Sequence, residues 1–173
     1  MHRRSVSIQF INRLGIAVIS FVLIGVVSRA FTNSAIGFKE LTMHATGTFE
    51  VKLAPQTDDK NGDAALGRMT IDKQFHGDLE GTSKGQMLTG MTEVKGSAGY
   101  VAIEKVTGTL KGRSGTFILQ HTGIMDRGKP QLKITVVPDS GTGQLVGITG
   151  TFNVIITNGK HSYEFDYTLP EAQ

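Results

Sequence analysis

Apolar and polar residues alternate with a period of two along most of the chain after Met43. In Ala45–Leu53 the odd positions are apolar, glycine or alanine and the even positions are polar or charged. Alternation returns in Gln131–Val136, where the even positions are apolar, and in Lys160–Leu169, where the odd positions are aromatic or apolar. This pattern is typical of β-strands that bury one face, because successive side chains point to opposite sides of a sheet. No window of this region shows sustained helical periodicity, so we predict an all-β domain.

Turn signals separate the alternating segments. Asn158-Gly159 is a preferred pair for a two-residue type I′ hairpin turn, in which both residues adopt positive φ. Short strands between frequent turns predict a meander closed into a barrel, or a sandwich, and we favour a small antiparallel closed β-barrel. Further turns or loops are predicted at Pro55–Ala65, Gly112–Gly115, Arg127–Pro130 and Asp139–Gly143.

The first 42 residues differ from the remainder, and we assign the barrel domain to residues 43–173. Leu14–Val27 is apolar except for Ser20 and follows three arginines. The run is shorter than the roughly 20 residues of a membrane span and is typical of a secretory signal. On this interpretation the protein is exported, or tethered to a membrane if the segment is retained. Alternatively, translation starts at Met43, just before the first strand, and the protein is cytoplasmic.

Charge and cysteine content exclude several classes of site. The net charge of the chain is +3, but the first 42 residues hold five of the 18 basic and one of the 15 acidic residues. Residues 43–173 therefore carry a net charge of −1, and a near-neutral domain without a basic stripe is a poor candidate for nucleic-acid binding. Cysteine is absent, which rules out disulfides, thiolate metal sites and a cysteine nucleophile.

Two features resemble functional motifs but lack their context. Gly81–Gly85 matches the pattern G-x-S-x-G, but a nucleophile elbow joins a strand to a helix, and Gln86–Val94 is strand-like. We interpret Gly81–Gly85 as a hairpin turn and expect Gly77 and Gly81 to bend the long stretch that contains them. The five histidines lack the close pair spacing of zinc ligands, so neither a metal nor a cofactor is expected.

Polar residues that share the parity of apolar neighbours are the candidates for an interior site. Tyr100 and Glu104 lie on the apolar face of Ala98–Leu110, and His121 lies on the apolar face of Phe117–Met125. A carboxylate on such a face should have a raised pKa unless it is paired. The neighbouring imidazole is the expected partner.

The pairing of these two strands decides whether Glu104 and His121 meet. If Leu110 pairs with Phe117, Glu104 faces Gly123, and Glu104 and His121 become diagonal neighbours about 7–8 Å apart at Cα. The absent side chain of Gly123 would then leave space beside the carboxylate.

The last strand adds His161, Tyr163 and Tyr167 to the candidate interior cluster, because they alternate on the same face as Phe165 and Leu169. Buried Glu–His and Glu–Tyr pairs are often hydrogen-bonded core groups with no further role. Alternatively, the cluster lines a cavity and acts in binding or acid–base chemistry. The sequence leaves both interpretations open.

Five stretches, in order along the chain, carry a family resemblance: Phe75–Leu88, Ser97–Gly112, Arg113–Gly128, Val136–Gly150 and Gly159–Pro170. Through them, the chain from Met43 onward resembles a bacterial domain family of unknown function, similar in fold to the allene oxide cyclase barrel. The resemblance implies a compact, self-associating antiparallel barrel with no settled activity. Allene oxide cyclases isomerise a fatty-acid epoxide in an apolar cavity, but their catalytic residues do not map onto this sequence one by one. Tyr100, Glu104, Arg113 and His121 lie within the shared stretches and are not established as catalytic there.

Three functions follow as hypotheses. The first is the binding of a small apolar or amphipathic molecule, because an apolar interior with a few convergent polar groups is typical of ligand sites. The second is an isomerase or cyclase that uses Glu104 as base and His121 or Tyr100 as acid. The third is a structural, self-associating domain, whose filled interior would leave no room for a ligand.

Overall fold

The computed structural model describes residues 41–56 and 65–170, and the structural statements below concern those residues. The predicted signal-like segment and most of the predicted loop at Pro55–Ala65 lie outside them. Within the described part of the chain, no helix is both long and apolar enough to cross a membrane.

Eight strands form a closed antiparallel barrel, in which each strand pairs with the next and β8 pairs back to β1. This confirms the predicted all-β class and the closed antiparallel barrel. Helical structure in the described residues is limited to a 3-10 turn at Gly143–Leu145, between β6 and β7. The strands are β1 (Met43–Pro55), β2 (Leu66–Gly77), β3 (Leu79–Met91), β4 (Ala98–Leu110), β5 (Arg113–Asp126), β6 (Lys129–Val136), β7 (Thr149–Thr157) and β8 (Lys160–Thr168).

An aromatic core fills one end of the barrel. Leu145 and Ile148, from the connection between β6 and β7, belong to the same buried cluster as the rings, so this connection helps to close that end. Full burial of one large apolar side chain contributes about 1.5–3 kcal/mol. The rings lie with neighbouring centroids 5.1–6.0 Å apart and belong to Phe49, Phe75, Phe117, Phe152, Tyr163, Phe165 and Tyr167.

The turn predicted at Gly81–Gly85 is wrong, and so is the single bent strand expected around it. The chain reverses at Asp78, so that β2 and β3 form a hairpin, and Gly81–Gly85 lies inside β3. A Cβ on Gly81 would lie 2.3 Å from the carbonyl oxygen of Thr107. Glycine is needed there for the close approach of two strands.

The hairpin between β4 and β5 is also tighter than predicted. Lys111 and Gly112 form its turn, with φ of 43° and 84°, so the predicted turn at Gly112–Gly115 is wrong. Leu110 pairs with Arg113 instead of Phe117, a shift of four residues. An even shift keeps every side chain on its predicted face.

The predicted turn at Asn158-Gly159 is confirmed, because both residues have positive φ, at 52° and 76°. We expect Gly159→Val to lower the free energy of unfolding by more than about 1 kcal/mol, since a β-branched residue is disfavoured at positive φ. A Cβ on Gly159 would have no neighbour within 4 Å, so the cost arises in the backbone.

Denaturant unfolding measures this cost, with Gly90→Val in β3 as the control. A Cβ on Gly90 also meets nothing within 4 Å, but Gly90 does not have positive φ. Equal unfolding midpoints for the two variants would show that the backbone conformation at Gly159 imposes no special cost.

The barrel is joined least extensively between β6 and β7. The two strands share one ladder pair, Thr135 with Thr151, whereas every other neighbouring pair of strands shares at least seven. Beyond this pair, Leu132 of β6 and Val154 of β7 line an internal cavity. The seam between these strands therefore forms part of the cavity wall.

Candidate functional site

The end of the barrel opposite the aromatic core contains an open cavity of about 470 Å³. It lies where β1, β3, β5 and β7 end, and its walls are mainly apolar. The apolar lining includes Val51, Leu53, Ile71, Met87, Ile124, Leu132, Ile134, Val154 and Ile156. The polar lining side chains come from six different strands and are Lys73, Thr89, Tyr100, His121, Gln131 and His161.

A buried carboxylate, Glu104, links the polar groups at the inner part of this cavity. Its side chain is 0% exposed. One carboxylate oxygen, Oε1, accepts a short hydrogen bond from the hydroxyl of Ser83 on β3. The other, Oε2, accepts a hydrogen bond of 2.7 Å from Nζ of Lys73 on β2 and lies 3.0 Å from Nε2 of His121 on β5. Three neighbouring strands thus supply partners to one carboxylate.

These partners keep Glu104 ionised. Burial raises its pKa by disfavouring the charged form, but the contact with His121, the charge and N–H of Lys73 and the hydroxyl of Ser83 together outweigh burial. The net effect lowers the pKa of Glu104 from 4.5 to about 2. Glu104 is therefore a carboxylate at neutral pH and balances the charge of Lys73, whose side chain is only 7% exposed.

His121 lies against Glu104 without making a well-aligned hydrogen bond. Its Nε2 is buried and lies 3.0 Å from Oε2, but the direction does not meet hydrogen-bond geometry. Glu104 pairs across the sheet with Leu119, and Ala102 pairs with His121, so the two groups are diagonal neighbours as predicted. The ring of His121 lines the cavity. Glu104 can therefore affect a ligand in the cavity through its contact with His121.

Tyr100 lies on the cavity wall above Gly123. Its ring fills the space left by the missing side chain, since a Cβ on Gly123 would lie 2.1 Å from Cε1 of Tyr100. The prediction that Gly123 leaves space beside Glu104 is therefore wrong, because the register places Gly123 opposite Tyr100. Burial, and to a lesser extent the negative charge of Glu104, raises the pKa of Tyr100, so its hydroxyl remains a hydrogen-bond donor at neutral pH.

The other candidate residues divide between the cavity and the core. His161 lines the cavity and packs against Phe49, with ring centroids 5.1 Å apart. Tyr163 and Tyr167 belong to the aromatic core instead, and the hydroxyl of Tyr163 accepts a hydrogen bond of 2.8 Å from the backbone N–H of Leu79. Of the six predicted cluster residues, the structure thus associates Tyr100, Glu104, His121 and His161 with the cavity region.

Sequence reasoning missed two members of this network, Lys73 and Ser83. Lys73 shares the parity of Ile71 and Phe75, and Ser83 shares the parity of Met87. Strict alternation would have placed both side chains in the interior. Residue type alone gives no sign that Lys73 is buried, because a lysine is almost never fully buried unless it is paired, and its partner Glu104 is brought to it only by the pairing of β2, β3 and β4.

The site is suited to hydrogen bonding and proton transfer at the end of an apolar cavity. Among the described residues, no group of three or more His, Asp or Glu side chains is arranged to hold a metal ion. Lys73 supplies an ammonium group paired with Glu104, and His121 supplies an imidazole on the cavity wall. Tyr100 adds a hydroxyl on the wall.

Comparison with known proteins gives a family and a solved relative. A family model described as a protein of unknown function (DUF3224) matches residues 45–167. A crystal structure from Shewanella oneidensis MR-1, of a protein with unknown function from the DUF3224 family, is 51% identical to the chain. The match covers 76% of this chain and 100% of that chain, with a TM-score of 0.71. Among curated proteins, none matches.

Proposed function

The chain belongs to the DUF3224 family of proteins of unknown function, and we propose that it binds a small apolar or amphipathic molecule in the open end of the barrel. The membership confirms the predicted resemblance to a bacterial family without a settled activity. The likeness of this barrel to allene oxide cyclase stays a prediction.

The cavity is the observation that carries this proposal. Its volume of about 470 Å³ lies in the range of small-molecule sites, which are mainly apolar with a few placed polar groups. A structural barrel with a filled interior, the third hypothesis from the sequence, does not account for this space. The buried polar network also lies beside the cavity, where it can orient a ligand.

Filling the cavity should abolish ligand binding while preserving the fold. We expect Val154→Trp to lower the affinity for the fluorescent apolar probe N-phenylnaphthylamine by at least about tenfold, equivalent to about 1.4 kcal/mol, because Val154 lines the cavity. Native mass spectrometry of the full chain should also detect a small molecule retained by the wild type and lost in this variant.

The adjacent residue provides a matched control for this experiment. Ile155 is 40% exposed and does not line the cavity, so Ile155→Trp adds the same ring to the outer face of β7 and should leave probe affinity unchanged. Equal binding by wild type and Val154→Trp, with both proteins folded, would exclude the cavity as the binding site.

Isomerisation by proton transfer is the second candidate function, favoured by the contact between Glu104 and His121. The geometry supports His121 as the base instead of Glu104, because a carboxylate with three partners and a pKa of about 2 is a weak base at neutral pH. Glu104 would position His121, and Tyr100 would donate a proton or hydrogen bond. A molecule extracted from the wild type and converted by it, but not by His121→Asn, would support this function.

Self-association and the location set by residues 1–42 stay predictions. Export or membrane tethering is proposed if the signal-like segment is translated, and a cytoplasmic location is proposed if translation starts at Met43. Exposed apolar side chains such as Leu88, Val101 and Ile103 on the outer face of β3 and β4 support the proposal that copies associate.

A further inference from the structure

The inner part of the cavity has hydrogen-bonding capacity that the protein does not use. Lys73 donates one N–H to Glu104, and its ammonium group otherwise faces the rings of Phe49 and Phe75, at 5.0 and 5.8 Å from their centroids. His121 directs Nε2 towards Glu104, and its Nδ1 makes no hydrogen bond within the described part of the chain. Because Lys73 and His121 both line the cavity, the rest of the ammonium group and Nδ1 of the ring are the polar groups that the inner cavity presents to a ligand.

The charge of this site determines which ligand groups it can accept. The positive charge of Lys73 and the negative charge of Glu104 cancel, and both groups are buried. A carboxylate that bound here without a proton would leave one uncompensated negative charge in an apolar cavity, which is costly. If His121 takes up a proton as the carboxylate binds, Nδ1–H becomes a donor and the charges balance again.

We propose that the cavity selects small carboxylic acids with an apolar body, bound with the acid group inward on Lys73 and His121 and with one proton taken up per carboxylate. This inference rests on the proposed binding function and specifies its ligand class. Donation from Lys73 and from protonated His121 would fix the head group, while the apolar walls contact the body. No bond is formed or broken; the proton moves from solvent to His121.

Among the residues that the structure describes, few charged groups can compete for this proton. The titratable side chains around His121 are Glu104 and Tyr100 on β4, Lys73 on β2 and His161 on β8 across the cavity. The neighbouring residues on β3 and β6 are the uncharged Ser83 and Ile134. The proton balance at binding is therefore set mainly by the ligand carboxylate and the Lys73–Glu104 pair.

Calorimetric titration of the full chain with decanoate and with decanamide tests the inference. The two probes share an apolar body and differ in the head group. We expect decanoate to bind at least about tenfold more tightly, since hydrogen bonds to charged groups are stronger than those between neutral groups. Repeating the titration in buffers of different ionisation enthalpy should show uptake of about one proton for decanoate and none for decanamide.

Two variants identify the residues responsible. His121→Asn should abolish proton uptake and weaken the binding of decanoate by about tenfold or more, a larger loss than for decanamide, which takes up no proton. The double substitution Lys73→Met with Glu104→Leu removes the charged pair together and so avoids leaving one buried charge unpaired. This protein should bind both probes with similar affinity.

The outcomes separate the inference from the function on which it rests. Equal binding of the two probes, or decanoate binding without proton uptake, overturns the head-group inference while leaving ligand binding intact. Failure of both probes and of N-phenylnaphthylamine to bind the folded wild type overturns the proposed function as well. A preference for decanoate that survives in both variants places the acid group elsewhere and also overturns the inference.

Discussion

Replacing Glu104 with Gln is expected to lower the free energy of unfolding by about 3–5 kcal/mol, the cost of removing one partner from a buried ion pair. The substitution keeps the shape of the side chain but leaves the ammonium group of Lys73 buried without a counter-charge. Loss of a hydrogen bond alone would cost only about 1–3 kcal/mol. Denaturant unfolding at pH 7 measures the difference.

An exposed ion pair of the same chemistry provides the control. Asp72 and Lys84 join β2 to β3 with Oδ1 and Nζ 2.9 Å apart, and their side chains are 48% and 85% exposed. Because surface pairs contribute about 0–1 kcal/mol, Asp72→Asn should have little effect. A loss for Glu104→Gln no larger than that for Asp72→Asn would show that the interior network does not stabilise the fold.

A double substitution distinguishes the pair from its individual members. Lys73→Met with Glu104→Leu replaces both charges by apolar side chains, and we expect it to be within about 1 kcal/mol of the wild type or more stable. A native protein that retains the charged pair despite this alternative is consistent with a role in ligand binding, because functional sites often keep polar groups that a more stable core would lack.

Much of the fold was predictable because alternation determines which face of each strand is buried. Period-two patterns indicate the buried faces of β1, β4, β5, β6 and β8, but they do not separate β2 from β3. The closed antiparallel barrel follows from short strands and frequent turns. The register in which β4 pairs with β5 was harder to predict from the sequence. The turn at Lys111-Gly112 requires positive φ at a lysine, and a lysine carries no sequence signal for that conformation. The predicted pairing was therefore shifted.

The candidate site was partly predictable for the same reason. Glu104, His121 and Tyr100 follow from parity, and an even shift in register left Glu104 and His121 as diagonal neighbours. The central role of Lys73 depends on the β2–β3 hairpin at Asp78 and on the pairing of β3 with β4, which are long-range features. Tyr163 and His161 point to the same face of β8, but Tyr163 lies among the core rings. Alternation shows which face a side chain points to and does not show how far along the barrel axis it lies.

Acid should remove much of the stability that Glu104 provides. Its pKa is lowered in the folded protein to about 2 from 4.5, so its contribution is fully present above about pH 4.5 and is lost as the pH falls towards 2. A shift of this size corresponds to about 3 kcal/mol, since each pKa unit is about 1.36 kcal/mol. The direction follows because the unfolded chain binds the proton more tightly than the folded barrel does.

The comparison that isolates this effect is the difference in unfolding free energy between the wild type and Glu104→Gln, measured from pH 7 to pH 2. Glutamine does not titrate, so the advantage of the wild type should be constant above about pH 5 and then shrink by about 3 kcal/mol as Glu104 is protonated. Asp78, whose pKa is lowered mainly by the backbone N–H of Thr46, contributes equally to both proteins and cancels. A difference that stays constant down to pH 2 would mean that the partners of Glu104 do not favour its ionised form, and the charge balance proposed for ligand binding would lose its basis.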